Sequence, residues 1–133
     1  MAFEDINLTA VFVAAVLKFI LGVLWFSPVV FGSMWLSEVG QEKDQLIAAR
    51  GPLMLSGLLG LVSAFTLAVL ITLADLGGVQ SLAVGCLIGL GIMTTQLGAL
   101  HGFEGRSFRL LAIYGGQYII EFSAMAAIIG FWR

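Results

Sequence analysis

Between Arg50 and Asp75 the chain runs "GPLMLSGLLGLVSAFTLAVLITLA" without one charged side chain. Three more stretches share this character. Between Asp5 and Glu38 only Lys18 is charged, between Asp75 and Glu104 only Cys86 and His101 titrate, and between Arg109 and Arg133 only Glu121 is charged. Each is longer than the roughly 20 residues a helix needs to cross about 30 Å of hydrocarbon. The blocks are continuously apolar and lack the alternation of a barrel strand. The expected architecture is an all-α polytopic membrane protein, a four-transmembrane-helix bundle forming a single transmembrane domain over 1–133. Its spans are predicted at 7–30, 52–74, 79–100 and 108–131.

Composition supports that reading. Of 133 residues, 60% are hydrophobic and 11% charged, with mean hydropathy +1.08. Soluble domains carry roughly 45–50% apolar and about 25% charged residues, and a small soluble domain cannot bury such an excess. Net charge is −2, with no basic run to suggest nucleic acid or a polybasic lipid patch. The single cysteine, Cys86, cannot form an internal disulfide, and one histidine leaves no cysteine–histidine metal cluster. No cofactor or metal is expected, and Cys86 reads as a small buried apolar residue. The N-terminal "MAFEDINLTAVF" is acidic where a secretory signal is basic, so the first span is expected to be retained.

The span ends carry their own signals. Asn7 or Thr9 suits a helix cap, and Pro52 suits a first turn. "DLGGVQS" at 75–81 reads as a tight turn with Gly77 and Gly78 free to take positive φ. The link 36–51, with "SEVGQEKDQLIAAR", is expected to form a short amphipathic helix at the interface. Lys43, Arg50, Arg106 and Arg109 fall on one side and Arg133 on the other. The positive-inside rule therefore places links one and three in the cytoplasm and both termini outside.

Small residues recur at helical spacing: Gly85 and Gly89, Gly98 and Gly102, and Ala126 and Gly130, with Gly57 and Gly60 on the second span. Such faces let membrane helices approach closely, within one chain or between copies.

Two groups of polar or aromatic residues are candidate sites. Lys18 and Glu121 lie at similar depth on oppositely directed spans. A lone charge at the bilayer centre costs at least about 2.5–3.5 kcal/mol, so the two are expected to face each other. Tyr114, Gln117, Tyr118 and Glu121 share one face of the last span by their three- and four-residue spacing. Ser56, Ser63, Thr66, Thr94 and Gln96 are further hydrogen-bonding candidates. This polar core reads either as a device fixing helix register or as part of a path for a proton, ion or small polar solute.

The second group lies at the expected cytoplasmic face: Trp25, Ser27, Pro28, Phe31 and Trp35 after span one, and "HGFEGRSFR" at 101–109. Pro28 biases Ser27 away from helical geometry, so the helix ends or kinks there. One reading is an aromatic belt plus an ion pair of Glu104 with Arg106 or Arg109. The other is a small pocket with an aromatic wall and His101, Glu104 and Arg106 at its mouth. A Ser27–His101 or Ser107–His101 pairing can be drawn, but neither serine stands in a nucleophile motif, and no enzyme activity is expected.

"LGVLWFSPVVFGSMW" at 21–35, followed by "FEGRSFRLLAIYGGQ" at 103–117, resembles the bacterial membrane family called domain of unknown function 1761. The pattern falls on Trp25, Phe26, Ser27, Pro28, Phe31, Gly32 and Trp35, then Phe103, Glu104, Gly105 and Arg106. The resemblance covers nearly the whole chain and implies a multi-pass protein of the bacterial cytoplasmic (inner) membrane, without an activity to carry over. Where the pattern has proline after the arginine, this chain has Ser107. Lys18 and Glu121 lie outside the pattern, as a specialisation of this member. The functional expectation is a small homo-oligomeric protein that moves or senses an ion or polar solute. The alternative is an accessory subunit docked on a larger membrane complex.

Overall fold

The computed structural model describes residues 3–39 and 50–133, with the backbone alone at Arg50. The described residues are helical and contain no strand. A short 3-10 turn at Phe3–Asp5 leads into α1 (Leu8–Trp25), followed by α2 (Gly32–Val39) and α3 (Arg50–Leu73). The third span is compound: α4 (Gly78–Leu87), a π-helical segment (Ile88–Thr94) and α5 (Thr95–Glu104). The last helix is α6 (Phe108–Phe131). Four helices, Leu8–Trp25, Gly51–Leu73, Gly78–Glu104 and Phe108–Phe131, are long and apolar enough to cross a membrane. The chain is a multi-pass membrane protein by that criterion.

Local chemistry explains the boundaries. Asn7 caps α1, its side chain accepting from the Ala10 N–H at 3.1 Å. Pro52 lies in the first turn of α3, where its missing N–H costs nothing. Ser107 caps α6 by accepting from the Leu110 N–H at 3.1 Å. Gly105 ends α5 in the left-handed region at φ 68°. The His101 carbonyl then accepts from Arg106 N–H at 3.0 Å, closing the helix as a Schellman turn.

Two expectations are corrected. The first span ends at Trp25 rather than 30, because the Ser27–Pro28 corner redirects the chain into α2. In the 75–81 turn the positive φ falls on Asp75 (51°), while Gly77 is extended and caps α4. Gly78 is already helical, and a Cβ there would collide with the Phe131 ring. Residues 40–49, most of the expected interfacial link together with Lys43, lie outside the described residues.

α6 is the central element. α4 and the π segment pack along one side of it, α1 and α3 along another, and α1 also packs on α3. Contact between α4 and α6 is close because the facing residues are small. A Cβ on Gly85 would lie 2.6 Å from the Cβ of Ala126, and one on Gly89 2.7 Å from the Ile119 Cα. Gly130 meets Ser81, whose hydroxyl is turned back onto the Gly77 carbonyl at 2.8 Å. With no hydrophobic drive between helices in lipid, this close fit supplies the attraction through dispersion. The apolar core gathers Ala14, Ala64, Leu67, Ile71, Met125 and Ile129 from α1, α3 and α6.

Each membrane face is clasped. On one, Asn7 Nδ2 donates to the Trp132 carbonyl at 2.7 Å and Arg133 pairs with Asp75 at 3.2 Å. On the other, Ser107 Oγ donates to Glu38 Oε2 at 2.5 Å and Arg109 lies 3.8 Å from Glu38 Oε1.

Candidate functional site

The indole N–H of Trp25 donates to the Ile113 carbonyl at 2.9 Å and sets the register of α1 against α6. From that contact Lys18 lies seven residues back along α1, and Glu121 eight residues on along α6. At about 1.5 Å per residue both reach nearly the same depth, some 10–12 Å further in. The structure brings them together, with Lys18 Nζ 3.3 Å from Glu121 Oε2. Gln117 Nε2, one turn away, donates to Glu121 Oε1 at 3.0 Å.

Glu121 is 1% exposed. Its Oε2 faces the ammonium as an ion pair but receives no aligned hydrogen bond among the described residues. The lysine side chain is 19% exposed, and Glu121 and Lys18 stand on the wall of a cavity of about 430 Å³. Gly22, Phe26, Trp35 and Gln117 also line it, with Ser56 contributed by α3. The site is therefore one salt bridge at the edge of a partly apolar chamber, between α1, α3 and α6, with Trp35 of α2 at one end.

Gly22 was not singled out by sequence reasoning. A Cβ there would stand 3.2 Å from Glu121 Oε1, so the missing side chain makes room for the carboxylate. The available signal was its position four residues after Lys18, on the same helical face.

Tyr114 and Tyr118 do not complete a single polar stripe. Tyr114 belongs to the aromatic cluster, its hydroxyl accepting from Trp35 Nε1 at 3.0 Å. Tyr118 packs at the edge of the apolar core. Thr94 turns its hydroxyl onto the Gly89 carbonyl at 2.7 Å, Thr66 bonds the Val62 carbonyl, and Gln96 is exposed. Cys86 is half-buried.

The aromatic corner is a folded unit. Ser27 Oγ donates to the Leu24 carbonyl at 2.6 Å, while its own carbonyl accepts from Val30 and Gly32 N–H. A Cβ on Gly32 would lie 2.7 Å from that carbonyl oxygen, so only glycine fits. Pro28 forms the turn, the rings of Trp25 and Phe31 meet at 4.6 Å, and those of Phe26 and Trp35 meet at the same distance. The motif thus turns the chain and carries Trp35 to Tyr114.

Of the two readings of the 101–109 turn, the Glu104–Arg106 ion pair is present, and the pocket mouth shared by His101, Glu104 and Arg106 is not. His101 is buried, 5.8 Å ring-to-ring from Tyr114, and its Nδ1 has no partner among the described residues. The α5 helix turns it inward, away from Glu104 and Arg106. Those two are exposed and pair with each other at 2.7 Å. Arg109 pairs with Glu38 instead of Glu104. Ser27 and Ser107 donate elsewhere, so neither hydroxyl hydrogen-bonds to His101. Among the described residues no group of three or more His, Cys, Asp or Glu gathers.

The family model for "Protein of unknown function (DUF1761)" matches residues 9–130, and the chain belongs to that family. Comparison with curated proteins and with solved structures returns no match.

Proposed function

Starting from membership in a family without an assigned activity, we propose that the chain moves or senses a proton or small polar solute through the Lys18–Glu121 centre. It is a non-catalytic protein of the bacterial inner membrane, with both termini outside and the Ser27–Pro28 corner facing the cytoplasm. The observation that carries the reading is a buried carboxylate 3.3 Å from an ammonium on the wall of a chamber of about 430 Å³. Ionisable groups within a span are costly, and one that faces a cavity is by default a functional-site candidate. A purely structural pair has no need of a chamber beside it.

Pyranine trapped in proteoliposomes, with a potassium gradient and valinomycin as the driving force, tests this. The native chain should change the internal pH faster than Lys18→Met or Glu121→Gln. Equal rates for all three would remove the reading.

A second reading rests on the third span, which packs on α6 and leaves Gly91 and Gly102 with nothing within 4 Å of an added Cβ. That open face suits a second copy of the chain or a helix of a larger complex.

A further inference from the structure

Beside the charged chamber runs a second hollow, of about 520 Å³, between α1 and α3. Its walls include Phe12, Val16, Leu58 and Leu61, and it carries no charged residue. Phe19 and Leu53 line both spaces, so the two adjoin. From Phe19 to Phe12 the groove follows α1 for about 10 Å. The combined shape is that of an amphiphile: a polar seat at one end and an open apolar trough leading away from it.

The seat has a definite hydrogen-bonding demand. Glu121 Oε2 is a buried acceptor without an aligned donor, and the Lys18 ammonium has three donors, with the carboxylate as its one described partner. A group that both donates and accepts meets both needs. Ion pair and chamber are together neutral, so a neutral guest enters without bringing net charge into hydrocarbon. A phospholipid offers two chains and a bulky charged head, which neither the trough nor the seat matches.

We propose that these two adjoining spaces together bind a single-chain carboxylic acid in its protonated form. The acid O–H donates to Glu121 Oε2, its carbonyl oxygen accepts from Lys18, and the acyl chain lies in the α1–α3 groove. No bond is made or broken, and the acid proton is shared between the two carboxyl groups. The inference rests on the reading of the Lys18–Glu121 centre as solute-facing, and it names the solute class.

Gly57 provides a test that spares the fold. It lines the groove, and a Cβ there meets nothing within 4 Å. The full chain in phosphatidylcholine nanodiscs is titrated with radiolabelled dodecanoic acid, with empty nanodiscs as the blank. Saturable binding of one acid per chain is expected, weakening as pH rises and the acid ionises. Dodecan-1-ol should compete less well by about tenfold or more, and Lys18→Met should weaken the acid by a similar factor. Gly57→Leu should weaken dodecanoic acid while leaving butyric acid, which needs only the seat, unchanged. Binding that is non-saturable, or equal for acid and alcohol, or untouched by Gly57→Leu, overturns the proposal. Should dodecanoic acid fail to bind while Lys18→Met still slows the pyranine response, this inference falls and the broader reading stands. If both fail, both fall.

Discussion

Lys18 and Glu121 show what a single residue can decide in a membrane core. Removing one partner of a buried pair leaves the other uncompensated, at a cost of about 3–5 kcal/mol, whereas replacing both by apolar residues of like volume is often neutral. Lys18→Met alone and Glu121→Leu alone should each lower the unfolding midpoint in mixed micelles. The double variant should recover most of the loss, and a purely additive double variant would disprove the coupling. Gly22→Ala should also be felt, because the new methyl presses on a carboxylate 3.2 Å away that Gln117 and Lys18 hold in place. The pair was legible in the sequence: two opposite charges at matched depth have few other ways to survive in hydrocarbon. Gly22 was not, because a glycine on a long apolar helix becomes meaningful only when its neighbour across the interface is known. His101 was misplaced for a related reason. The sequence puts it beside charged Glu104 and Arg106, and only the helical phase of α5 shows that it turns inward to Tyr114.

At the scale of elements, the four spans could be read from charge spacing alone, but their ends depend on local chemistry that hydropathy does not record. Span one stops at Trp25 because the Ser27 carbonyl and the Gly32 N–H close a corner of their own. Ser107 is the clearest case for experiment, since it caps α6 and also donates to Glu38. Ser107→Ala should cost about 1 kcal/mol or somewhat more from the cap alone. It should also loosen α2, read as greater Trp35 exposure to an aqueous quencher. Ser107→Asp should keep the cap but repel Glu38, separating the two roles. The α4–α6 seam offers a paired comparison. Gly85→Val should destabilise by about 1–3 kcal/mol through overpacking, while Gly57→Val, on an open face, should leave the unfolding midpoint in place.

For the whole molecule, the packing is uneven. α6 is shared by every other span, while the third span is held chiefly by that one neighbour. Hydrogen exchange in micelles should therefore release the third span before α1 or α6, and early release of α6 would contradict this arrangement. If the open glycine face seats a second copy, Gly91→Leu with Gly102→Leu should convert a dimer to a monomer in nanodiscs without lowering the monomer's stability. None of this was legible from composition, because the same small-residue spacing serves internal seams and external ones; only the folded structure shows that Gly85 is filled and Gly91 is not.

The π segment at Ile88–Thr94 has a consequence for how such a chain can change length. Its wider winding accommodates residues that an ordinary helix of the same rise would not hold. Deleting one residue there would let the span close into a regular helix at little cost to its hydrogen bonds. Six residues at about 100° each turn through nearly the same angle as seven in the wider coil, so His101 would stay under Tyr114 while Gly85 stayed seated. Both halves of this span pack on α6, and the loose coil between them keeps both in phase.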